Sequence, residues 1–351
     1  MLGNETMTDR TKRVFISDIH LGTNAPWDWY QRRKHEDRLL NLLGYVAAPQ
    51  SGIKDLVLLG DVFETWACPI GDVPRPFADI LAENHKVVDA LANCVRGIPN
   101  VFFVRGNHDM HVTAEHLGEK LAGIKHIAQY NSGLLHAEHG SRFAMFNAID
   151  QLHDPRGGLP LGYYITRILT GNDDYDKPGA LIRYIDDLLE AAFTTTRIAE
   201  SVIEALAEHA LIDLDDPIAM PDGRRSTTLR HVQKRYAGLF DRWIEKFGYR
   251  YAINAVRAEG GGLGWFADRL CKKKDFRIVV LGHTHDSDLD RDGWFATSQT
   301  IYANSGYWCP KPGENAHFVE VDKRVGEFRV AVRTLDDSGK PTDVKSESIT
   351  A

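Results

Sequence analysis

Five apolar runs in this chain end in the same way, each followed by a tight polar segment that carries Asp, Asn or His. Val14-Phe15-Ile16 runs into Ser17-Asp18-Ile19-His20, and Leu56-Val57-Leu58-Leu59 is stopped by Gly60-Asp61. Val101-Phe102-Phe103-Val104 leads to Gly106-Asn107-His108-Asp109, Leu134-Leu135 to His139-Gly140, and Arg277-Ile278-Val279-Val280-Leu281 to Gly282-His283-Thr284-His285. A continuous apolar run closed by glycine reads as a strand buried on both faces. Between the first three runs, Leu39, Leu43 and Val46 recur at helical spacing, as do Phe77, Ile80, Leu81, Val88, Leu91 and Val95. Strands alternating with helices predict an α/β architecture with parallel neighbours, and periodicity alone suggests a single doubly wound sheet.

The pattern changes after Asp150. Pro155 to Pro160 is a Gly/Pro-rich break, and residues 161–257 lose the strand signals. Helical spacing returns over 181–209 (Ile185, Leu188, Leu189, Ala192, then Ile198, Val202, Leu206) and over 228–257, before Gly260-Gly261-Gly262 closes the segment. Strand-like pieces follow at Thr300–Ala303, His317–Val321 and Glu327–Arg333. The expected organisation is a core from 1–155 and 266–335, a helical insertion over 156–265, and a loose polar tail over 336–351.

Apolar residues make up 43% of the chain, enough for a sizeable core, but no run is long enough to span a bilayer. The first residues lack an apolar stretch with a cleavage site, so a cytoplasmic location is expected. Cys68, Cys94, Cys271 and Cys309 are far apart and form no C-x-x-C pair, which predicts free buried thiols. With 42 basic against 49 acidic residues the net charge is −7, so no obligate nucleic-acid partner is expected.

In open α/β sheets, ligands collect at the carboxyl ends of strands. In extended chain, residues two apart share a side, so Asp18 with His20 and His283 with His285 can converge. Imidazole, carboxylate and one amide oxygen, without thiolate, suit borderline divalent metals: Mn, Fe or Zn, with Co or Ni also possible. Two Asp, four His and one Asn exceed the needs of one four-coordinate ion, which points to two ions sharing a carboxylate. Such a pair can hold a bridging hydroxide and neutralise charge on a phosphoryl oxygen.

The order D-x-H, G-D, G-N-H-D, H-G, G-H-T-H closely resembles the calcineurin-like metallophosphoesterase superfamily. The resemblance implies a two-sheet β-sandwich flanked by helices, still of the α/β class, and two divalent ions with Mn favoured. It implies that Asp18, His20 and His285 hold one metal, that Asn107, His139 and His283 hold the other, and that Asp61 bridges them. It also implies that His108 faces the phosphate and assists the leaving group, with Asp109 orienting it. Within the superfamily, Gly60-Asp61-Val62-Phe63-Glu64-Thr65-Trp66 and Asn304-Ser305-Gly306-Tyr307-Trp308 are similar to the branch containing UDP-2,3-diacylglucosamine hydrolases, which cleave a pyrophosphate in lipid A synthesis. The best-known members of that branch have Arg where this chain has His108, and Arg-Pro where it has Asp286-Ser287. The resemblance therefore implies a relative of that branch with a substrate of its own.

The expected activity is hydrolysis of a phosphodiester, phosphomonoester or pyrophosphate. The alternatives are a lipid pyrophosphatase touching the membrane surface through the insertion, and a metal-dependent nuclease or cyclic-nucleotide phosphodiesterase. Three further residues are candidates for substrate contact: Arg224 and Arg225 for a phosphate, and Trp27 for stacking on a base or sugar. The run Asp286-x-Asp288-x-Asp290-x-Asp292-Gly293 is read as a solvated acidic turn, because Gln299 stands where a calcium loop needs Glu.

Overall fold

A computed structural model describes residues 10–149, 158–170, 197–291, 299–310 and 313–351. The parallel set comes first: β1 (Lys12–Ile16), β2 (Ile53–Leu59), β3 (Asn100–Val104) and β4 (Lys125–Ile127) lie side by side. Short strands β5 (Tyr130–Ser132) and β6 (Leu135–Ala137) follow, and β7 (Pro217–Ala219) with β8 (Ser226–Thr228) forms a separate hairpin. The chain then supplies β9 (Ile278–Leu281), β10 (Ser287–Arg291), β11 (Ile301–Ser305), β12 (Phe318–Arg324), β13 (Glu327–Leu335) and β14 (Pro341–Thr350). These strands build two main sheets, a seven-stranded one in the order β14-β13-β12-β1-β2-β3-β4 and a five-stranded one in the order β10-β11-β9-β6-β5.

The reason for two sheets lies in side-chain alternation. Val57 and Leu59 of β2 face a core shared with Ile278 and Val280 of β9, Ala303 of β11 and Val330 of β13. Their neighbours Leu56 and Leu58 face outward against helices α1 (Arg32–Ala47) and α3 (His85–Gly97). On the opposite side Val279 and Leu281 pack against the insertion. The sheets are apolar on both faces because each is covered twice, once by the other sheet and once by helices. The sandwich implied by the resemblance is the one observed, and the single doubly wound sheet suggested by periodicity is not. Four-residue apolar runs look alike in either arrangement, so the number of sheets is not written in any one strand.

Three local expectations also change. The helix over 77–95 is two helices, α2 (Phe77–Glu83) and α3, separated at Asn84, whose Nδ2 donates to Gly22 O at 2.7 Å and Ile80 O at 2.8 Å. The acidic run is an edge strand, β10, with Leu289 buried and Asp288 and Asp290 exposed; Asp292 and Gly293 lie outside the described residues. Residues 336–351 are not a loose tail. After a turn, Pro341–Thr350 forms β14, paired antiparallel with β13 from Leu335↔Pro341 to Glu327↔Thr350. Little of β14 is apolar beyond the buried Ile349, so its order comes from the ladder and from ion pairs such as Arg333 with Asp343 at 3.0 Å.

Within the expected insertion, the described helices are α5 (Leu161–Leu169), α6 (Ile198–His209), α7 (Leu229–Tyr236), α8 (Leu239–Phe247) and α9 (Tyr249–Arg257), numbering the short Ala114–Leu117 as α4; α10 (Gly264–Lys274) leads back to β9. Ile198, Val202 and Leu206 are all buried, whereas Ile185, Leu188, Leu189 and Ala192 lie outside the described residues. The buried guanidinium of Arg167 fastens α5 to the core: it donates to the carbonyls of Cys68 (2.8 Å), Pro69 (2.8 Å) and Asp72 (2.6 Å), and across to Ala219 of the hairpin (2.9 Å). Charge-assisted bonds of this kind are the stronger ones. They hold α5 over the strand ends. The four cysteines are free and buried. Among the described residues, no helix is long and apolar enough to cross a membrane.

Candidate metal centre

The backbone at the strand ends is strained in a consistent way. Asp18 (φ 53°), His20 (53°), Asp61 (49°), His283 (74°) and His285 (62°) are all left-handed, a conformation that costs a residue with a Cβ roughly 1–2 kcal/mol. The paired residues thus converge through left-handed turns, not through the extended alternation expected from spacing. The turns are tied to one another: the amide of Asp18 donates to Gly60 O at 3.1 Å, that of His20 to Asp61 O at 2.9 Å, and that of Gly282 to His139 O at 2.9 Å. Glycines make room. A Cβ at Gly106 would stand 2.1 Å from Asp61 Oδ1, and one at Gly282 would stand 2.3 Å from Ser17 Oγ. Strain of this kind persists only where the surroundings hold it, and it concentrates at functional sites.

Two groups of donor atoms result. Asp18, His20 and His285 form one, with His20 Nε2 3.2 Å from His285 Nε2 and Asp18 Oδ1 3.5 Å from His285 Nε2. Asp61, His139 and His283 form the other, with His139 Nε2 3.1 Å from both Asp61 Oδ2 and Asn107 Oδ1. Asp61 also belongs to a third group, with His20 and His108. The structure therefore brings together all seven residues expected as ligands, with Asp61 in the middle.

The donor chemistry fits divalent cations. Asp18 Oδ1 and His283 Nε2 are buried without a hydrogen-bond partner, an expensive state unless something else binds them. Burial lowers the His283 imidazole to about 3 and pushes His20 down as well, so both rings are neutral and keep a lone pair at neutral pH. Burial alone would raise Asp61, but the imidazoles of His139 and His108 outweigh it and hold the carboxylate well below the usual range. His139 moves the other way: despite burial, the charges of Asp61 and Asp18 raise it to about 10. Its Nδ1 donates to Leu59 O at 2.9 Å, which leaves Nε2 as the atom facing the two oxygens. That position calls for a proton or a metal cation between the groups, and metal binding there would release the proton.

His108 is buried beside the donors, and here the structure corrects an expectation. Asp109 does not orient it. Both Asp109 oxygens accept backbone amides, Val62 at 2.8 Å and Gly106 at 2.6 Å, and burial followed by the nearby Asp61 charge raises its carboxyl to about 7. The residue that holds His108 is Glu64, whose carboxylate lies 2.9 Å from His108 Nδ1 and 2.9 Å from His20 Nδ1. Its Oε1 also accepts the Trp66 and Ala67 amides at 2.8 and 2.9 Å. Despite complete burial, those two imidazoles keep Glu64 far below the ordinary carboxylate range. One carboxylate thus holds two rings, each with Nδ1 as donor, and leaves His20 Nε2 facing His285. This task falls to Glu64 because its longer side chain comes back from the turn after β2, while the shorter Asp109 closes that turn. Trp66 stacks on His108 at 4.2 Å between centroids, Trp29 meets the His20 ring edge-on at 4.5 Å, and Tyr307 stacks on His285 at 4.3 Å.

The space above these donors is a chamber of about 80 Å³, with Gly162, Ile165 and Thr166 of α5 in its wall. Asn147 and Glu259 also line it, and neither was singled out by sequence. A larger cleft of about 740 Å³ lies beyond Trp66, lined also by Trp27, Phe77 and Tyr163. Trp27 is therefore near the site but not on the donors. Arg224 and Arg225 are exposed on the β7–β8 hairpin, Arg225 is paired with Asp222 at 2.5 Å, and neither lines the chamber.

Donors from five strand ends, converging beside a small chamber at the edge of a two-sheet sandwich, define a candidate dinuclear metal centre. The chain belongs to the calcineurin-like phosphoesterase family, whose model matches residues 11–287. Among curated proteins, a UDP-2,3-diacylglucosamine hydrolase of Blochmanniella pennsylvanica (strain BPEN) is 33% identical over 96 residues, which is 27% of this chain and 31% of that protein. The match thus spans about a third of the relative's length. Solved structures similar to this chain include a dimetal phosphatase from Danio rerio (11% identity, covering 97% of this chain and 99% of that one, TM-score 0.41). Another is a Vps29 double mutant from Entamoeba histolytica (11% identity, 97% and 99% coverage, TM-score 0.36). Scores this low add nothing to the fold that the two sheets already define.

Proposed function

We propose that the chain is a metal-dependent hydrolase of phosphate esters, taking a monoester, a diester or a pyrophosphate. The observation that carries the reading is the pair of orphaned buried atoms, Asp18 Oδ1 and His283 Nε2, one in each of the two donor groups, with His283 lining the same chamber as His108. Asp18, His20 and His285 would hold one divalent ion, Asn107, His139 and His283 a second, and Asp61 would serve both. When bound, such a pair supplies activated water at neutral pH and neutralises charge on the phosphoryl oxygens. The chain's own residues do the rest. Ile165 and Phe146 give the chamber an apolar wall beside the donors, and less water there means stronger charge interactions. The Glu64 and Asp61 carboxylates raise His108 in spite of burial, which favours the doubly protonated ring that a general acid to a departing oxygen needs. Mn²⁺ suits the mixed oxygen and nitrogen donors, and a cytoplasmic site of action accords with free thiols.

A second reading, a pyrophosphatase acting on a UDP-2,3-diacylglucosamine-like lipid, has the curated match in its favour. His108, in place of that branch's Arg, favours the general reading. The test is hydrolysis by metal-stripped protein refilled with Mn²⁺, offered p-nitrophenyl phosphate, bis-p-nitrophenyl phosphate, a cyclic nucleotide and a UDP-sugar lipid. Chelator-sensitive turnover of any of the first three supports the general reading; turnover of the lipid alone selects the second. Chelator-insensitive turnover would contradict both.

A further inference from the structure

This inference rests on the metal-centre reading and concerns how the insertion reaches that centre. Asn107 has its Oδ1 3.1 Å from His139 Nε2, and its Nδ2 donates to Asn147 Oδ1 at 3.0 Å. Asn147 donates from its own Nδ2 to Glu259 Oε2 at 2.7 Å. The other oxygen of Glu259 accepts the Phe146 amide. Glu259 belongs to the insertion, just beyond α9, and with Asn147 it lines the same chamber as Asn107. The fit is close: a Cβ at Gly162 of α5 would stand 2.1 Å from Asn147 Oδ1.

We propose that Glu259 and Asn147 are positioning residues, a one-way hydrogen-bond chain through which the insertion sets which end of the Asn107 amide faces the metal centre. The direction follows from what each group can do. A carboxylate only accepts, so Asn147 must turn its NH₂ to Glu259 and its carbonyl to Asn107. Asn107 must then spend its NH₂ on that carbonyl, which leaves Oδ1 facing His139. Rotated the other way, the Asn107 amide would offer a cation two N–H groups and no lone pair. Partners behind a ligand that fix its orientation are typically worth about 10–100-fold in metal affinity.

The test reverses the chain without changing its shape. Glu259→Gln sets an amide NH₂ against either the Asn147 NH₂ or the Phe146 amide, so the chain can be satisfied only by turning Asn147 and then Asn107. Burial raises Glu259 to about 7, so the comparison is made at pH 8.5, where it is ionised. The affinity for a second Mn²⁺ per chain, titrated into metal-stripped protein, is expected to fall about 10–100-fold. At limiting Mn²⁺, kcat on p-nitrophenyl phosphate falls with it, while KM changes less than about two-fold. Asn147→Ala is expected to weaken the second ion in the same direction. The double variant Asn147→Asp/Glu259→Gln restores an acceptor toward Asn107 and is expected to regain the second ion to within about three-fold of wild type. A loss of packing or charge alone would not be rescued in this way. Wild-type affinity for two ions in Glu259→Gln would overturn the proposal, as would a double variant no better than the single one. If Glu259→Gln does not fold, a folded double variant lacking the second ion overturns it equally. Failure of the metal-centre reading looks different, because wild-type protein itself would then bind no pair of ions.

Discussion

The carboxylate of Glu64 lies 2.9 Å from Nδ1 of His108, deep under Trp66, and that contact makes a residue of the metal turn the anchor of the proposed general acid. The same carboxylate reaches His20 Nδ1, so the proton donor and one metal ligand share a single support. Glu64→Gln keeps an oxygen for the Trp66 and Ala67 amides but can satisfy only one ring as before. At saturating Mn²⁺, kcat on an aryl phosphate is expected to drop roughly 10–100-fold. In a double-mutant cycle, Glu64→Gln is expected to cost much less when His108 is already Ala, because the two act as a unit. Full additivity would show that Glu64 does not work through His108.

Asp61 and His108 sit beside each other but are predicted to fail differently. Asp61→Ala removes the carboxylate common to both donor groups and is expected to leave protein without bound metal by elemental analysis. His108→Ala is expected to keep its metal and lose about 10²–10⁴-fold in kcat. An emptied metal site in His108→Ala would reassign that residue as a ligand.

Much of this site was legible in the chain. The donors stand at the ends of apolar runs, and each motif occupies a few consecutive residues, so local pattern was enough to gather them. Glu64 was visible beside Asp61, but its partners His20 and His108 lie 44 positions away on either side, and only the fold shows that it takes the role expected of Asp109. Asn147 and Glu259 are 112 positions apart and carry no spacing signal at all. The strand β14 escaped for a different reason. Its residues Asp343, Val344, Lys345 and Glu347 point mostly to solvent, so there is no alternation to read, and its order comes from pairing with β13.

Gly106 tests the close approach at the third turn. A methyl group there would collide with Asp61 Oδ1 and its backbone amide, neither of which can move without disturbing the left-handed turn. Gly106→Ala is expected to lose about 1–3 kcal/mol in chemical denaturation and to retain less Mn²⁺ than wild type. Wild-type stability and metal content would mean that the turn is looser than its geometry indicates.

Asp28 gives a pH signature away from the donors. Burial raises its carboxyl to about 7, although the Ala25 amide, donating to it at 2.9 Å, pulls the other way. The folded value lies above the unfolded one, so the folded state binds the proton more tightly. The resulting stabilisation is fully present below about pH 4 and is lost as pH rises through about 7, on the order of 4 kcal/mol in all. Asp28→Asn cannot titrate. Measured on metal-free protein, its stability relative to wild type is expected to rise between pH 4 and pH 7.5. A difference that stays flat across that range would rule out a raised Asp28.

The central claim is that two ions share Asp61. Its most direct test is electron paramagnetic resonance of metal-stripped protein titrated with Mn²⁺. Two ions sharing Asp61 require uptake of two ions per chain and an exchange-coupled signal at full loading, lost in Asp61→Ala. Uptake of a single ion, or two ions giving only the six-line signal of isolated Mn²⁺, would contradict it.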